Sequence, residues 1–134
     1  MGKPAAKKGD MVVAVDIHLV MAPTPGGPPA PLPLPHPFNG MLDGNLSPNV
    51  KIMGQPAATV GSTATNQPSH FPTPPGISFV IPPTNLATIR MGSTTVFING
   101  KMAARMGDLT ETCGSPSPNM AANLIATSTV MIGD

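Results

Sequence analysis

The sequence predicts a small all-β domain built from repeats with pseudo-threefold symmetry. β-branched runs such as MVVAV, ISFVI and TTVFI are typical of strands. No convincing amphipathic helix is present, and the best candidate, MAANLIATST at residues 120–129, is short. A phrase of seven residues occurs three times, which is the mark of a repeat architecture.

The composition indicates an ordered chain despite its proline and glycine content. The 134 residues are enough for one domain, which we take as residues 1–134. The 19 prolines and 14 glycines would by themselves suggest disorder. However, disordered chains are usually rich in charge, whereas only 10% of these residues are charged and 40% are hydrophobic. The chain is therefore expected to fold, with a surface partly covered by another protein.

The three copies of the phrase align on a pair of alanines. They read PAAKKGD at residues 4–10, PAATVGS at 56–62 and MAARMGD at 102–108. A strand-like run ending in glycine precedes the second and third copies, whereas the third run of this kind ends the sequence and has no phrase after it. We therefore expect the C-terminal run to pair with the first phrase and to close a ring of three.

Each part of the phrase has a physical interpretation. Asn99-Gly100 before the third copy is a strong hairpin signal, because both residues tolerate positive φ. Paired alanines allow a close approach between backbones. The following glycine permits a turn, where Asp or Ser can accept a hydrogen bond from a nearby backbone N–H. The phrase therefore predicts a close-packed corner.

Two segments are rich in proline, residues 22–38 and 67–83. Such tracts are often flexible polyproline linkers or ligands of SH3-type domains. Each of these contains a histidine, His36 or His70. We therefore expect long, rigid proline-rich loops that position a side chain.

The chain contains three histidines and one cysteine, which together form a candidate metal site: His18, His36, His70 and Cys113. Three imidazoles and a thiolate make a closed tetrahedral set for a structural Zn²⁺. His18 and His70 each lie nine residues after the glycine of their phrase, and Cys113 lies six residues after the glycine of the third. The alternative is that these are ordinary surface or hydrogen-bonded histidines, since no local metal-binding motif is present.

Several other classes of function are disfavoured. Cys113 with a histidine could form a hydrolase dyad, but no oxyanion-hole element is evident, and six carboxylates offer little for acid–base catalysis. A net charge of +1 without Trp, Tyr or an arginine cluster argues against nucleic-acid binding. One cysteine excludes an internal disulfide framework. We expect a protein that is not an enzyme.

No targeting signal is recognisable. The sequence opens without a cleavable signal peptide. Its longest apolar stretch, residues 11–22, is too short to span a bilayer and contains Asp16 and His18. The protein is expected to be made in the cytoplasm. If it is exported, we expect this to occur without a cleavable signal peptide.

The three phrases resemble the PAAR-repeat family, named for its Pro-Ala-Ala-Arg motif. Residues 4–7, 56–59 and 102–105 each keep three of the four letters. The Gly-Asp pair that often follows is present in the first and third copies and becomes Gly61-Ser62 in the second. The resemblance extends over nearly the whole chain.

This resemblance implies a small β-rich cone that serves as a structural spike tip. Its base would sit, one copy per trimer, on a VgrG-like spike of type VI secretion or a related contractile injection system. The tip would help to puncture membranes during injection and would meet the membrane only transiently. The resemblance also allows effector or adaptor proteins as cargo. It would hold one zinc ion at His18, His36, His70 and Cys113. The alternative implied by the same fold is a secreted effector or a small metalloenzyme.

Overall fold

The computed structural model describes residues 2–115 and 117–133, and these residues form strands and connecting turns without a helix that could span a membrane. Thirteen strands follow one another within these described residues. They are β1 (Lys3–Pro4), β2 (Met11–Thr24), β3 (Gly27–Gly44), β4 (Lys51–Ile52), β5 (Gln55–Pro56), β6 (Thr63–Asn66), β7 (Ser78–Phe79), β8 (Leu86–Ile89), β9 (Phe97–Ile98), β10 (Lys101–Met102), β11 (Thr110–Thr112), β12 (Asn119–Ile125) and β13 (Met131–Ile132).

Six of these strands form a closed antiparallel sheet. The order is β2-β3-β6-β8-β11-β12, and β12 returns to pair with β2 through Leu124 and Val12. β7 pairs with the same edge of β2 as β12 does, but further along the strand, at Val20 and Met21. Closure removes most of the unpaired strand edges that a small open sheet would expose. The all-β prediction is confirmed.

The first proline-rich segment is a long hairpin, so the expectation of a loop at residues 22–38 was wrong. β2 pairs with β3 from Met11 opposite Met41 almost to the hairpin turn. Proline recurs at every second position of β3, from residue 31 to residue 37. Backbone N–H groups at alternate positions point to the same edge of a strand, so all of these prolines leave one edge of β3 without donors. β6 pairs with that edge only from Gly40 onward. The prolines therefore occupy an edge that needs no donors. The second proline-rich segment is a loop from residue 67 to residue 77, as expected, but β7 lies within the segment at Ser78–Phe79.

The short helix candidate at residues 120–129 is not a helix, and its first six residues belong to a strand. β12 covers Asn119–Ile125 and lies between β11 and β2. Tertiary pairing with these two strands outweighs the modest helix propensity of MAAN.

Three two-stranded antiparallel pairs accompany the closed sheet. Two are true hairpins and the third joins strands from the two ends of the described chain, but we call all three the hairpins because they are equivalent in the repeat. They pair β4 with β5, β9 with β10, and β1 with β13. In the last pair Lys3 lies opposite Ile132, which confirms the expected return of the C-terminal run to the first phrase. Asn99 and Gly100 have φ angles of 53° and 78°, as the hairpin prediction requires.

The second alanines of the three phrases form a cyclic ring of hydrogen bonds. The N–H of Ala6 donates to Ala104 O at 3.0 Å, that of Ala58 to Ala6 O at 3.0 Å, and that of Ala104 to Ala58 O at 3.1 Å. All six alanines of the phrases are fully buried. A side chain larger than methyl would keep the three backbones apart, which explains the alanine pairs. The ring makes the chain pseudo-threefold at this level.

The glycine of each phrase lies in the same left-handed turn, and the residue after it makes the same contact. φ is 93°, 95° and 83° at Gly9, Gly61 and Gly107. The backbone N–H groups of residues 7, 59 and 105 donate to the side chains of residues 10, 62 and 108 at 3.0, 3.0 and 2.7 Å. Ser62 therefore preserves the corner that Asp forms elsewhere, and only the ion pairs of the other two corners are lost.

The ring separates two apolar clusters. On one side, the first alanines pack with Ile52, Ile98 and Ile132 of the hairpins. On the other side, the second alanines belong to the main core, which also contains Phe38 and Cys113. The hairpins therefore occupy one end of the molecule, which we call the base, and the histidines lie towards the other end.

The hairpin turn at residues 53–54 offers a first prediction. Met53 has a φ of 52° and is 55% exposed, in the position that Asn99 occupies in the neighbouring hairpin. Asn adopts this conformation at lower cost than other side chains, so Met53→Asn should stabilise the protein by roughly 0.5–1 kcal/mol. Thermal unfolding would show a rise in Tm of a few degrees. The reverse change Asn99→Met should lower Tm, and a fall in Tm for Met53→Asn would contradict this account.

Candidate metal centre

The closed sheet brings all four candidate ligands together at the end opposite the base. His18 projects from β2, His36 from β3, His70 from the loop after β6, and Cys113 follows β11. The ring centroids of the three histidines are 5.0–5.6 Å apart. Cys113 Sγ lies 3.5 Å from His18 Nε2. The side chains come from four separate segments and meet at one point.

The centre is buried. His18 and His36 are 1% and 2% exposed, the side chain of His70 is 2% exposed, and Cys113 is 8% exposed. The rings of His18 and His36 also contact Phe79, at centroid distances of 5.6 and 5.3 Å. Phe38 packs against His70 from the core side. The histidines are therefore interior residues and not the surface histidines of the alternative interpretation.

Asp16 is a fifth member of the cluster that sequence reasoning missed as a site residue. It lies two residues before His18 on β2, so the two side chains share a face, and it is directly opposite His36 on β3. Asp16 is fully buried. Its Oδ2 accepts from His70 Nε2 at 3.3 Å and from Cys113 Sγ at 3.4 Å. The available signal was a carboxylate within an apolar strand, two residues from a candidate ligand.

Asp16 Oδ1 is held by two donors from the far end of the chain. Thr112 Oγ1 donates a short hydrogen bond to it, and Asn119 Nδ2 donates at 3.0 Å. Burial alone would raise the pKa of Asp16, but the hydrogen bonds from His70, Thr112, Asn119 and Cys113 together hold that pKa below its ordinary value. The carboxyl is therefore ionised at neutral pH.

Two sets of four among these five residues are candidates for binding an ion. One ligand atom each from Asp16, His18, His70 and Cys113 can be chosen so that all lie within 4.8 Å of one another. The sequence-predicted set has His36 in place of Asp16. His36 Nε2 accepts the backbone N–H of Thr73 at 3.2 Å, so its lone pair is already occupied in this arrangement.

The second ring nitrogens of the histidines differ in their partners. His36 Nδ1 donates to Leu34 O at 2.9 Å, because a carbonyl can only accept. This leaves Nε2 as the unprotonated nitrogen, the arrangement typical of a metal-binding histidine. Asn66 Nδ2 lies 3.2 Å from His70 Nδ1, while Asn66 Oδ1 accepts the N–H of Asn39. His70 Nδ1 is therefore an acceptor, and Nε2 carries the proton that faces Asp16.

Comparison with known proteins identifies the family. The family model of the PAAR motif matches residues 21–116. The chain belongs to the PAAR-motif family. No curated protein matches the sequence. Family membership confirms the resemblance and the small all-β fold, and it suggests a spike-tip protein.

PAAR-motif membership raises the question of a metal, and the residues present fit one. Imidazole nitrogen and thiolate sulfur are the donors that zinc prefers. Among the described residues, His18 Nδ1 is a buried side-chain nitrogen without a hydrogen-bond partner, which is unusual for a ring held only by packing. Two clefts of about 350 and 280 Å³ reach the cluster, one at His18 and Cys113 and the other at His36 and His70. The cluster could therefore both receive and hold an ion.

The electrostatics of this PAAR cluster favour the neutral form of the His18 and His36 rings. Burial, together with the neighbouring histidines, lowers the pKa of His18 to about 4. Burial also lowers the pKa of His36. Burial and the charge of Asp16 raise the pKa of the Cys113 thiol to about 11. Without a metal, the thiol is therefore protonated at neutral pH and is a poor nucleophile.

The lowered pKa of His18 predicts acid sensitivity of the metal-free protein. The folded pKa lies below the unfolded one, so the unfolded chain binds more protons between about pH 6.5 and 4. Stability should fall as the pH is lowered through this window, by on the order of 3 kcal/mol in total. Thermal unfolding of chelator-treated protein at several pH values measures it. His18→Phe, whose ring cannot be protonated, should flatten the profile, and a parent whose Tm is unchanged from pH 7 to pH 4 would contradict the assignment.

Proposed function

We propose that this protein is the tip of a contractile injection spike and that one copy caps a trimeric VgrG-like spike through its base. The observation that carries the proposal is the cyclic ring of Ala6, Ala58 and Ala104, which gives one asymmetric chain three near-equivalent sides. A partner with threefold symmetry presents three identical surfaces. A single chain of this kind can contact all three at once.

The chemistry of the base supports a buried contact. The hairpins expose an apolar set at related positions: Val50, Met53, Val96, Phe97, Val130 and Met131. Such a concentration of exposed apolar side chains is typical of an interaction surface. The hairpins also carry three exposed lysines, Lys3, Lys51 and Lys101. Their described residues include no carboxylate. The complementary surface on the spike is therefore expected to be apolar with acidic groups at its edge.

At the opposite end, we propose one structural zinc ion held by His18, His36, His70 and Cys113, as the family resemblance implies. When bound, the ion would supply a cross-link between β2, β3, the β6–β7 loop and the segment after β11. A narrow tip buries little apolar surface, so this link would hold together chain segments that packing alone secures poorly. Effector or adaptor proteins, if carried, would attach outside the base.

Catalysis is not part of this proposal. The Cys113 thiol is buried and has a raised pKa, and as a zinc ligand its sulfur would be coordinated. Neither the buried, protonated thiol nor a zinc-bound sulfur would be an effective nucleophile. The remaining cluster residues are buried and packed against one another, which favours a structural role over that of a metalloenzyme or a secreted effector. Synthesis in the cytoplasm and export on the spike follow from the same proposal.

Binding to the native spike tests the proposal with a matched pair of variants. Phe97 at the base is 57% exposed, and Phe71 in the β6–β7 loop is 68% exposed. Phe97→Glu should weaken binding to the spike at least tenfold, because it places a charge in an apolar contact that is expected to carry acidic groups nearby. Phe71→Glu should leave binding unchanged. Equal losses in both variants, or none in Phe97→Glu, would contradict the assignment of the base.

A further inference from the structure

We propose that Asp16 is part of the metal centre and supplies its second negative charge. This inference rests on the zinc site proposed above, and it adds a residue that the three histidines and the cysteine do not include. Asp16 has no exposed surface and lies among the proposed ligands. It needs its own explanation, because a buried carboxylate is retained at considerable cost unless it is paired.

The first argument is charge. Zn²⁺ with one thiolate and neutral imidazoles carries a net charge of +1. The centre is buried, and an uncompensated charge in such a place is unfavourable. The Asp16 carboxylate touches both His70 Nε2 and Cys113 Sγ, so its charge would make the loaded centre neutral.

The second argument is geometry. The edges Asp16 Oδ2–His70 Nε2, Asp16 Oδ2–Cys113 Sγ and Cys113 Sγ–His18 Nε2 measure 3.3, 3.4 and 3.5 Å. Zinc bonds of about 2.0–2.3 Å in a tetrahedron separate neighbouring ligand atoms by roughly 3.3–3.8 Å. Oδ2 therefore already stands at ligand spacing from two proposed ligand atoms.

The third argument is how the carboxylate is held. Thr112 and Asn119 both donate to Oδ1, which leaves Oδ2 directed at the cluster. Oδ2 accepts from His70 Nε2–H and from the Cys113 thiol. A metal would displace the thiol proton, and His70 would bind through Nε2 as a neutral ring with its proton on Nδ1. Oδ2 therefore accepts hydrogen bonds from His70 and Cys113 in the metal-free protein, and the same oxygen would face the ion in the zinc-bound protein. Outer partners that fix a metal site in this way typically alter metal affinity 10- to 100-fold when removed.

Asp16→Asn is a sharp test because the orientation of the new amide is set. Its oxygen should stay with Thr112 and Asn119, so its NH₂ group would face His70 and Cys113. A neutral donor would then point at the position of a cation. Asp43→Asn is the matched control, since Asp43 is an exposed carboxylate on β3 that bonds only to Thr65 among the described residues.

The experiment is a competition titration of metal-free full-length protein with Zn²⁺ and a chromophoric chelator, together with the absorption spectrum of the Co²⁺-loaded protein. We expect Asp16→Asn to raise the Kd for Zn²⁺ at least tenfold and to shift the Co²⁺ bands, while Asp43→Asn matches the parent. A Kd within twofold of the parent and an unchanged Co²⁺ spectrum would overturn the inference, whatever the variant does to Tm.

A second variant covers the case in which Asp16→Asn does not fold. Thr112→Val keeps the carboxylate and removes one donor that holds it. We expect a Kd raised severalfold, and an unchanged Kd would count against Asp16. If the parent itself takes up no Zn²⁺ or Co²⁺, the proposed zinc site fails. If the parent binds zinc and both variants bind equally well, only the role of Asp16 fails.

Discussion

Replacing Cys113 with alanine should lower the Tm of the zinc-loaded protein by roughly 10 °C or more. Metal binding in small zinc domains is coupled to folding and is worth on the order of 10 kcal/mol, of which the loss of one ligand should remove a large part. The proposed site would link residues 18, 36, 70 and 113, so its loss should loosen the β6–β7 loop in particular. Thermal unfolding and proteolysis of that loop would measure both effects.

The matched control for Cys113→Ala is the same substitution without metal. In chelator-treated protein the parent and the variant should differ by only about 1 kcal/mol, because a small buried thiol contributes little beyond its packing. The metal-dependent part of the stability loss is the loss measured in zinc-loaded protein minus the loss measured in chelator-treated protein. Equal losses with and without chelator would show that Cys113 acts through packing, and zinc would not be what holds this end together.

Replacing Ala58 with leucine should destabilise the protein by at least about 3 kcal/mol. Ala58 is fully buried, its N–H donates to Ala6 O, and its carbonyl accepts from Ala104. Overpacking commonly costs about 1–3 kcal/mol, and here the added carbons would also separate backbones that are hydrogen-bonded in a ring. Denaturant unfolding measures the loss.

The pseudo-symmetry gives this second prediction an internal check. Leucine at Ala6 or Ala104 should cost about as much as leucine at Ala58, because each alanine makes the same pair of ring hydrogen bonds. Ala121→Leu on β12 is the control, since Ala121 is exposed and a surface change of this kind is usually worth less than about 0.5 kcal/mol. A stable Ala58→Leu variant, or losses that differ widely among the three positions, would contradict the close-packed ring.

The ring was predictable because its determinants are local and repeated. Paired alanines, a glycine with positive φ and a following Asp or Ser recur together, and the same contacts recur in the structure. Closure through β1 and β13 followed from the one strand-like run that lacked a phrase. These inferences needed only the order of residues along the chain.

The remaining features depend on partners that sequence order does not reveal. Proline normally argues against a strand, and the hairpin of β2 and β3 is possible only because one edge of β3 is free there. β12 is a strand because β2 lies beside it. The role of Asp16 depends on Thr112 and Asn119, which approach it from about a hundred residues away. The histidines and the cysteine could be named as candidate ligands without knowing such partners, because these residue types are rare in this chain.

The stoichiometry of the complex with the spike tests the central claim most directly. Native mass measurement of the purified assembly should show one copy of this chain for each spike trimer, because the three sides of the alanine ring belong to a single chain. Three copies per trimer would mean that each protomer binds its own tip protein. That result would contradict the account, because the internal threefold repetition would then have no matching partner.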